Sequence, residues 1–134
     1  MMLAPYLIFE GTCEEAFEFY KNCFEGEIIT LTRYNGSPEP VPEDYKEKVM
    51  HAELVFENNS IQGCDQMPGK LFVKGTDFSL SISVMEVFVL DKIFSRLAEG
   101  GTVTMPLQDT FWGARFGTIT DRFGIRWMFS CDLN

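Results

Sequence analysis

The stretch TFWGARFGTITDRFGIRWMF, residues 110–129, decides most of the fold prediction. It holds six aromatic side chains and three arginines in an otherwise acidic chain. Its composition and alternation predict a strand over residues 114–120 and another over residues 125–131. The residues between them, from Asp121 to Gly124, predict a hairpin turn in which the glycine takes a positive φ. The stretch is therefore predicted to form a strand, a turn and a strand whose aromatic side chains fill a core.

Alternating or helically spaced apolar residues mark the other regular elements of the chain. The first half predicts, in order, a buried strand over 3–9, a helix opened by a Thr12–Glu15 capping box and stopped by Gly26, a strand over 27–34, and a hairpin of strands 49–56 and 61–65 with its turn at 57–60. The second half predicts a strand over 78–84, a helix opened by a Ser83–Glu86 capping box, and a strand over 103–107.

The two halves share one order of elements, and a glycine ends each predicted helix at a matching place, Gly26 and Gly100. The chain thus predicts an α+β fold of two βαβββ modules in tandem, about residues 1–70 and 71–134, within a single domain. Residues 35–48 contain three prolines and several charged side chains. They predict a long exposed loop that is either a lid or simply mobile.

Charge and composition exclude some classes of partner. The net charge of -9 and the pI of about 4.5 disfavour nucleic acid and anionic membrane surfaces. No apolar run is long enough to span a bilayer, and the start of the chain lacks the pattern of a signal peptide. The four cysteines have neither zinc nor C-x-x-C spacing, which predicts reduced thiols in a cytoplasmic protein.

Three segments carry a resemblance to a known family. They are YLIFEGTCEEAFEFYKNCFEGE at residues 6–27, MHAELVF at 50–56 and LAEGGTVTMPLQDTFWGARFGTITDRFGIRWMF at 97–129. The chain resembles the PhnB-like group of the vicinal oxygen chelate superfamily, which includes glyoxalase I, extradiol dioxygenases, and fosfomycin and bleomycin resistance proteins. The resemblance implies a glyoxalase-like curved mixed sheet with a central pocket, and a homodimer. The group also carries a ubiquinone-biosynthesis methyltransferase label, but no glycine-rich strand-to-helix loop for S-adenosylmethionine is present in the sequence.

The resemblance also implies where a metal would bind. The superfamily's metal enzymes hold one divalent ion with His, Glu or Gln side chains from the first and last strand of each module. The matching positions in this chain are Pro5, Ser79, Met128, and either Gly63 or Cys64, depending on register. None of them is His or Glu. Since a metal needs several such ligands, we expect no metal and no other cofactor.

Strand alternation predicts which side chains replace the metal ligands. Residues two apart share a face of a strand. With Leu54, Trp127 and Phe129 packed under the helices, the opposite faces line the pocket. The pocket-lining candidates are His51, Glu53, Ser81, Arg126 and Met128. A pocket of this mixed polar character suits an unidentified small organic molecule better than a bare cation.

Each candidate residue has more than one possible role. His51 and Glu53 are either a catalytic acid–base pair or a structural pair on a strand, and Glu53 alone could pair with Arg126 or Arg115. The two arginines could instead clamp a ligand carboxylate or phosphate, or they could simply be solvated or ion-paired on their strands. Phe111 and Trp112 could stack on a flat ligand, form a dimer seam or pack against the loop.

Asp65 and Asp121 are predicted to hold turns, Asp65 the one into residues 66–69.

Three functions stay open: a metal-free small-molecule binding protein, an isomerase or lyase based on His51 and Glu53, and a resistance-type dimer that sequesters a large flat compound.

Overall fold

The computed structural model describes residues 1–134, which divide into two compact units, residues 1–73 and 74–134. Each unit contains one helix and one four-stranded sheet. The elements of the first unit are β1 (Tyr6–Phe9), α1 (Cys13–Phe24), β2 (Glu27–Arg33), β3 (Val49–Phe56) and β4 (Asn59–Asp65). Those of the second are β5 (Leu80–Val84), α2 (Val87–Ala98), β6 (Thr102–Asp109), β7 (Ala114–Thr120) and β8 (Arg126–Asp132).

The two sheets have the same topology. Their strand orders are β1-β4-β3-β2 and β5-β8-β7-β6. In each sheet the first strand pairs with the last in parallel, and the other neighbours are antiparallel. The helix that follows the first strand makes this parallel crossover possible. The predicted α+β fold with two βαβββ modules is confirmed. Neither helix is long and apolar enough to cross a membrane.

Some predicted boundaries were wrong. The strand predicted over 3–9 spans only Tyr6–Phe9, and it is not buried on both faces, because Tyr6 and Ile8 are 45% and 42% exposed. It is an edge strand covered on one face only. The turn between β3 and β4 occupies residues 57 and 58 rather than 57–60, and β5 begins at Leu80 rather than at residue 78.

Neither predicted capping box forms. Thr12 is the N-cap of α1, but its side chain makes no capping hydrogen bond. The Asp65 carboxylate takes that role, since its Oδ1 accepts hydrogen bonds from the backbone N–H groups of Gly11 and Cys13, both at 2.9 Å. Ser83 lies inside β5, so it cannot cap α2. A carboxylate at a helix start satisfies unpaired N–H groups and interacts well with the helix dipole.

Asp65 also fixes the entry to β3. Its Oδ2 accepts a hydrogen bond from the Val49 N–H at 2.8 Å, and the residue is only 1% exposed. The predicted role of Asp65 in the turn that follows it was therefore wrong. This side chain instead joins the start of α1, the start of β3 and the end of β4, three segments far apart in sequence.

The predicted alternation of faces is confirmed by burial. Trp127 and Phe129 are 1% and 0% exposed on the side of β8 that packs under α2, whereas Arg126 and Met128 on the other side are partly exposed. The Asp121 turn is also confirmed. Its carboxylate accepts hydrogen bonds from two backbone N–H groups of the turn and from Trp127 Nε1, and the φ of Gly124 is 87°.

Two tyrosines, Tyr34 and Tyr45, anchor the segment 35–48 that was predicted as a lid or a mobile loop. It contains two short 3-10 turns, Tyr34–Gly36 and Glu43–Tyr45. The Tyr34 hydroxyl donates to the Asp65 carbonyl at 2.6 Å, and the Tyr45 hydroxyl donates to the Gln66 carbonyl. The rings of the two tyrosines also contact each other. The loop is therefore fastened to the end of β4.

Candidate functional site

The candidate site is the open face of the first sheet, which we define as the side opposite α1. The pairing of strands places a row of polar side chains across this face: Tyr6 on β1, Gln62 on β4, Glu53 on β3 and Thr30 on β2. Next to this row lie Cys64, His51 and Thr32. All of these side chains are partly or largely exposed, whereas the helix-facing side of the same strands forms the core.

Tyr6 and His51 form a pair on the open face. The Tyr6 hydroxyl lies 3.0 Å from His51 Nδ1, within hydrogen-bond distance. Their rings are stacked, with centroids 5.7 Å apart and an angle of 23° between the planes. Because β4 lies between β1 and β3, the tyrosine side chain must reach across a whole strand to make this contact. The sequence pattern did not indicate Tyr6, because the apolar run over residues 3–9 predicted a buried strand.

The predicted pairing of His51 with Glu53 is not formed. Glu53 Oε2 instead accepts a hydrogen bond from the Ser60 hydroxyl at 2.6 Å. Side chains two residues apart on a strand point in the same direction and lie about 6–7 Å apart, so they do not contact each other. Each instead hydrogen-bonds to a side chain on another strand. His51 therefore pairs across the sheet with Tyr6, and Glu53 with Ser60. The expected ion pair of Glu53 with an arginine is also absent.

The Tyr6 phenol and the Cys64 thiol on this face are protonated at neutral pH. Partial burial and, to a smaller extent, the neighbouring Cys64 raise the pKa of Tyr6 to about 12. Burial also raises the pKa of the Cys64 thiol, although a hydrogen bond with Tyr6 opposes that rise. At neutral pH the Tyr6 hydroxyl is therefore a neutral group that can donate one hydrogen bond and accept another.

The candidates of the second unit lie on the open face of its own sheet, opposite α2. Ser81 on β5 and Met128 on β8 are paired, and Thr118 on β7 continues their row. Arg126 shares this face, and its guanidinium donates to the Thr76 carbonyl. The convergence of these side chains with His51 and Glu53 stays a prediction.

Arg115 lies on the other face of the second sheet. It pairs across β7 and β8 with Cys131, which is buried on the helix side. Its guanidinium contacts the carboxylates of Asp109 at 3.0 Å and Asp91 at 3.3 Å, and hydrogen bonds to these two raise the pKa of Arg115, with Asp109 the larger cause. Of the two alternatives, the ion-paired arginine is therefore the one observed for Arg115, and a joint clamp with Arg126 on one anion is excluded because the two side chains lie on opposite faces of the sheet.

Phe111 and Trp112 lie in the turn between β6 and β7. They are 98% and 59% exposed, and their rings meet edge to face with centroids 5.0 Å apart. Trp112 also contacts the ring of Phe116, which lies on the open face of the second sheet. Stacking on a flat ligand and packing in a dimer seam both stay predictions.

The strand register shows which face each position matched to the superfamily's metal ligands occupies. Gly63 belongs to the helix side, since a Cβ on it would lie 2.8 Å from the Phe17 ring, and Pro5 precedes β1. Phe9 pairs with Asp65, and Val84 pairs with Cys131, each at the end of its strand pair. By this register Tyr6 matches Ser81, and Gln62 matches Met128.

The open-face residues at the equivalent places of the two units are Tyr6, Gln62, Ser81 and Met128, which offer one amide and no carboxylate or imidazole. These side chains do not fit the divalent ion of the superfamily's enzymes. The structure also contains no cluster of three or more His, Cys, Asp or Glu side chains that could hold a metal ion.

The sequence of this chain is similar to a known family over almost its whole length. Residues 1–130 match the sequence profile of a family described as 3-demethylubiquinone-9 3-methyltransferase. The protein YjdN of Escherichia coli K12 is 30% identical over 139 residues, which cover 96% of this chain and 93% of YjdN.

Two solved structures extend the likeness to the whole fold. Protein PA1353 of Pseudomonas aeruginosa is 40% identical, with a TM-score of 0.91 over 100% of this chain and 99% of its own. A Bacillus cereus protein described as a putative 3-demethylubiquinone-9 3-methyltransferase, PhnB protein, is 26% identical, with a TM-score of 0.83 over 98% and 99% of the two chains.

Proteins of the glyoxalase family share the fold at lower identity. One of them, from Bacillus cereus, is 13% identical, with a TM-score of 0.71 over 99% of this chain and 94% of its own. At this identity the likeness concerns the fold alone, and the fold is glyoxalase-like.

Proposed function

Because the chain belongs to the family described as 3-demethylubiquinone-9 3-methyltransferase, and is a PhnB-like member of the glyoxalase/bleomycin-resistance/dioxygenase superfamily, we propose that it binds a small organic ligand without a resident metal. The binding surface in this proposal is the open face of the first sheet. The observation that carries it is the exposed Tyr6–His51 pair beside Glu53 and Gln62.

The hydrogen bonds that anchor the helix and the loop of the first unit do not involve these side chains. The first unit fastens its helix and its loop through Asp65, Tyr34 and Tyr45, which lie away from this pair in the pattern of hydrogen bonds. Histidine, tyrosine, glutamate and glutamine together give donors, acceptors and an aromatic surface, the mixture typical of sites for small organic molecules. Ser81, Arg126 and Met128 remain candidates for ligand contacts on the second sheet.

The methyltransferase description of the family is not carried over to this chain. S-adenosylmethionine sites commonly use a glycine-rich loop and the exposed N–H groups of the helix that follows it. In the first unit the Asp65 carboxylate already occupies the N–H groups at the start of α1. In the second unit only two residues separate β5 from α2.

Native mass spectrometry of freshly purified full-length protein tests the proposal. We expect a retained organic molecule, or binding from a metabolite extract, that weakens at least tenfold in His51→Ala and Glu53→Ala. The matched control is Glu57→Ala, which removes an exposed carboxylate from the neighbouring turn and should change nothing. Equal binding by all these variants would contradict the proposed surface.

The metal-free part of the proposal has its own test. Elemental analysis of the same preparation should give less than about 0.1 equivalent of Zn, Mn, Fe or Ni per chain, since one or two protein ligands rarely retain a metal. One equivalent of metal that disappears in His51→Ala would overturn this expectation.

A second candidate function rests on the two exposed aromatic side chains of the β6–β7 turn. Phe111 and Trp112 offer perpendicular rings to solvent, an arrangement suited to a large flat compound. In this alternative a cytoplasmic homodimer sequesters such a compound without turnover. Four free cysteines support a reducing compartment. Sedimentation that finds only monomer at micromolar concentration, or tryptophan fluorescence unchanged by planar dyes, would exclude it.

A further inference from the structure

We propose that Cys64 is the nucleophile of a covalent site on the open face of the first sheet, where it adds to a small neutral α,β-unsaturated carbonyl compound while Tyr6 and His51 carry its proton. This inference rests on the proposed function, because it names the class of ligand that the same surface takes. It gives Cys64 a role that neither the sequence patterns nor the family relationship indicates.

A continuous chain of polar atoms joins Cys64 to His51. The Tyr6 hydroxyl makes a hydrogen bond with the Cys64 thiol, and it also lies 3.0 Å from His51 Nδ1. A phenol oxygen donates one hydrogen bond and accepts another, so it connects both partners at once. A nucleophile that is linked to a base by hydrogen bonds is the arrangement that activates thiols and hydroxyls in covalent catalysis.

The strand register brings the thiol and the imidazole onto one face. Ala52 on β3 pairs with Gly63 on β4, both on the helix side, so the next residues of the two strands, His51 and Cys64, are neighbours on the open face. Side chains paired across strands in this way have Cβ atoms about 4.5–5.5 Å apart. Cys64 is only partly buried, whereas the other three cysteines are buried. It is therefore the thiol that a ligand on this face can reach.

The neighbouring titratable groups are engaged elsewhere. The Asp65 carboxylate accepts hydrogen bonds from three backbone N–H groups, and the hydroxyls of Tyr34 and Tyr45 donate to backbone carbonyls. The Glu53 carboxylate accepts a hydrogen bond from a serine hydroxyl. Tyr6 is therefore the route by which the thiol proton leaves.

The covalent step needs no further reactant. The resting thiol is protonated, because burial raises the pKa of Cys64. As Sγ bonds to the β-carbon of the double bond, the thiol proton moves to the Tyr6 oxygen and the phenol proton moves to His51 Nδ1. The electron pair of the double bond passes into the carbonyl group and forms an enolate. The imidazolium then returns a proton through Tyr6 to the α-carbon, which completes a thioether.

The charges and rings of this unit favour a neutral, flat compound. The first unit has thirteen acidic and five basic residues, so anionic electrophiles and anionic disulfides are repelled. The rings of Tyr6 and His51 are stacked beside the thiol, and Tyr6 is 45% exposed. A planar conjugated carbonyl compound can lie against this aromatic surface.

Two neutral reagents test the inference on the full-length protein. 2-Cyclopentenone reacts by conjugate addition, which uses the returned proton, whereas iodoacetamide reacts by displacement of iodide and needs no returned proton. The ratio of their initial rates at Cys64 cancels the exposure and the thiolate fraction, which affect both reagents alike. Peptide mass spectrometry measures both rates. We expect this ratio to exceed that of N-acetylcysteine by roughly tenfold or more, a modest share of what positioned proton transfer contributes.

Variants separate proton transfer from folding. Tyr6→Phe keeps the ring and removes the hydroxyl, so it should lower the ratio to that of N-acetylcysteine, and His51→Ala should do the same. Tyr45→Phe removes a hydroxyl whose partner is the Gln66 carbonyl, and it should keep the wild-type ratio. The amide NMR spectrum of each variant verifies its fold. A wild-type ratio equal to that of N-acetylcysteine, or a ratio unchanged in Tyr6→Phe, would overturn the inference.

Native mass spectrometry distinguishes failure of this inference from failure of the proposed function. A rate ratio equal to that of N-acetylcysteine, together with a retained molecule whose binding weakens in His51→Ala, would refute the covalent step and leave the binding surface intact. The same ratio with no retained molecule, and no binding from a metabolite extract, would refute both.

Discussion

The ends of β4 and β8 carry the same dipeptide and use it in opposite ways. β4 ends in Cys64-Asp65, and β8 ends in Cys131-Asp132. In β4 the aspartate is buried and the cysteine is partly exposed, whereas in β8 the cysteine is 1% exposed and the aspartate faces solvent. A one-residue difference in register is enough for this, because successive side chains of a strand lie on opposite faces.

The difference shows that the duplicated topology does not duplicate the contacts that stabilise it. In the first unit the buried carboxylate of Asp65 holds the start of α1. In the second unit Cys131 occupies the matching place, and the buried carboxylate is Asp121, which holds a turn and the Trp127 indole. The charges differ too, with thirteen acidic and five basic residues in the first unit against seven and six in the second.

Removal of the Asp65 carboxylate gives the largest expected effect. Asp65→Ala should lower the free energy of unfolding by about 5 kcal/mol, since three backbone N–H groups lose their acceptor. Asp132→Ala is the matched control at the exposed aspartate and should change stability by less than about 0.5 kcal/mol. Urea unfolding measures both. Similar losses in the two variants would mean that the dipeptides are equivalent after all.

The core tryptophan of the second unit comes next. Trp127→Ala should cost about 4 kcal/mol, because it empties the space of a large buried side chain and leaves Asp121 without the indole N–H. Its neighbour Met128 lies on the open face, so Met128→Ala should cost about 1 kcal/mol or less. Thermal unfolding followed by circular dichroism compares them. A larger loss for Met128→Ala would reverse the assignment of faces.

The smallest expected effect concerns a surface ion pair that spans α1 and the end of β2. Arg33 contacts both carboxylate oxygens of Glu14, at 3.0 and 2.8 Å, and these hydrogen bonds are the main cause of the lowered pKa of Glu14. Arg33→Met should cost about 0.5–1 kcal/mol at neutral pH, as for partly exposed pairs.

The pH dependence of this loss has a defined sign. A carboxylate with a lowered pKa stabilises the fold above its unfolded pKa of about 4.3, and this contribution disappears as the pH falls through the folded pKa. The difference between the wild type and Arg33→Met should therefore shrink below about pH 4. Lys46→Met, at a more exposed pair with Glu43, should show a smaller difference at every pH. Constant differences down to pH 3 would contradict the role of Glu14.

The fold was largely predictable because local patterns determine it. Alternation placed Trp127 on the core side and Met128 on the other, and these assignments hold. The Thr12–Glu15 capping box failed because a competing acceptor lies far away in sequence: Asp65 is more than fifty residues from the helix that it caps. A pattern within four residues carries no information about such a partner.

The candidate site was less predictable for a related reason. His51 was selected because it is the single histidine, but its partner Tyr6 lies forty-five residues away and reaches it across an intervening strand. The short apolar run around Tyr6 predicted a buried strand, but an edge strand with one helix over it has one open face. Only the strand order shows which tyrosine lies near His51.

The partial exposure of Cys64 has a practical consequence. The other three cysteines are buried, so an alkylating reagent reaches a single thiol in the folded protein. That thiol lies against Tyr6, and its raised pKa makes its modification slow at neutral pH. Cys64 is thus a natural site for covalent labelling at the open face of the first sheet, and its alkylation rate reports whether that face is covered.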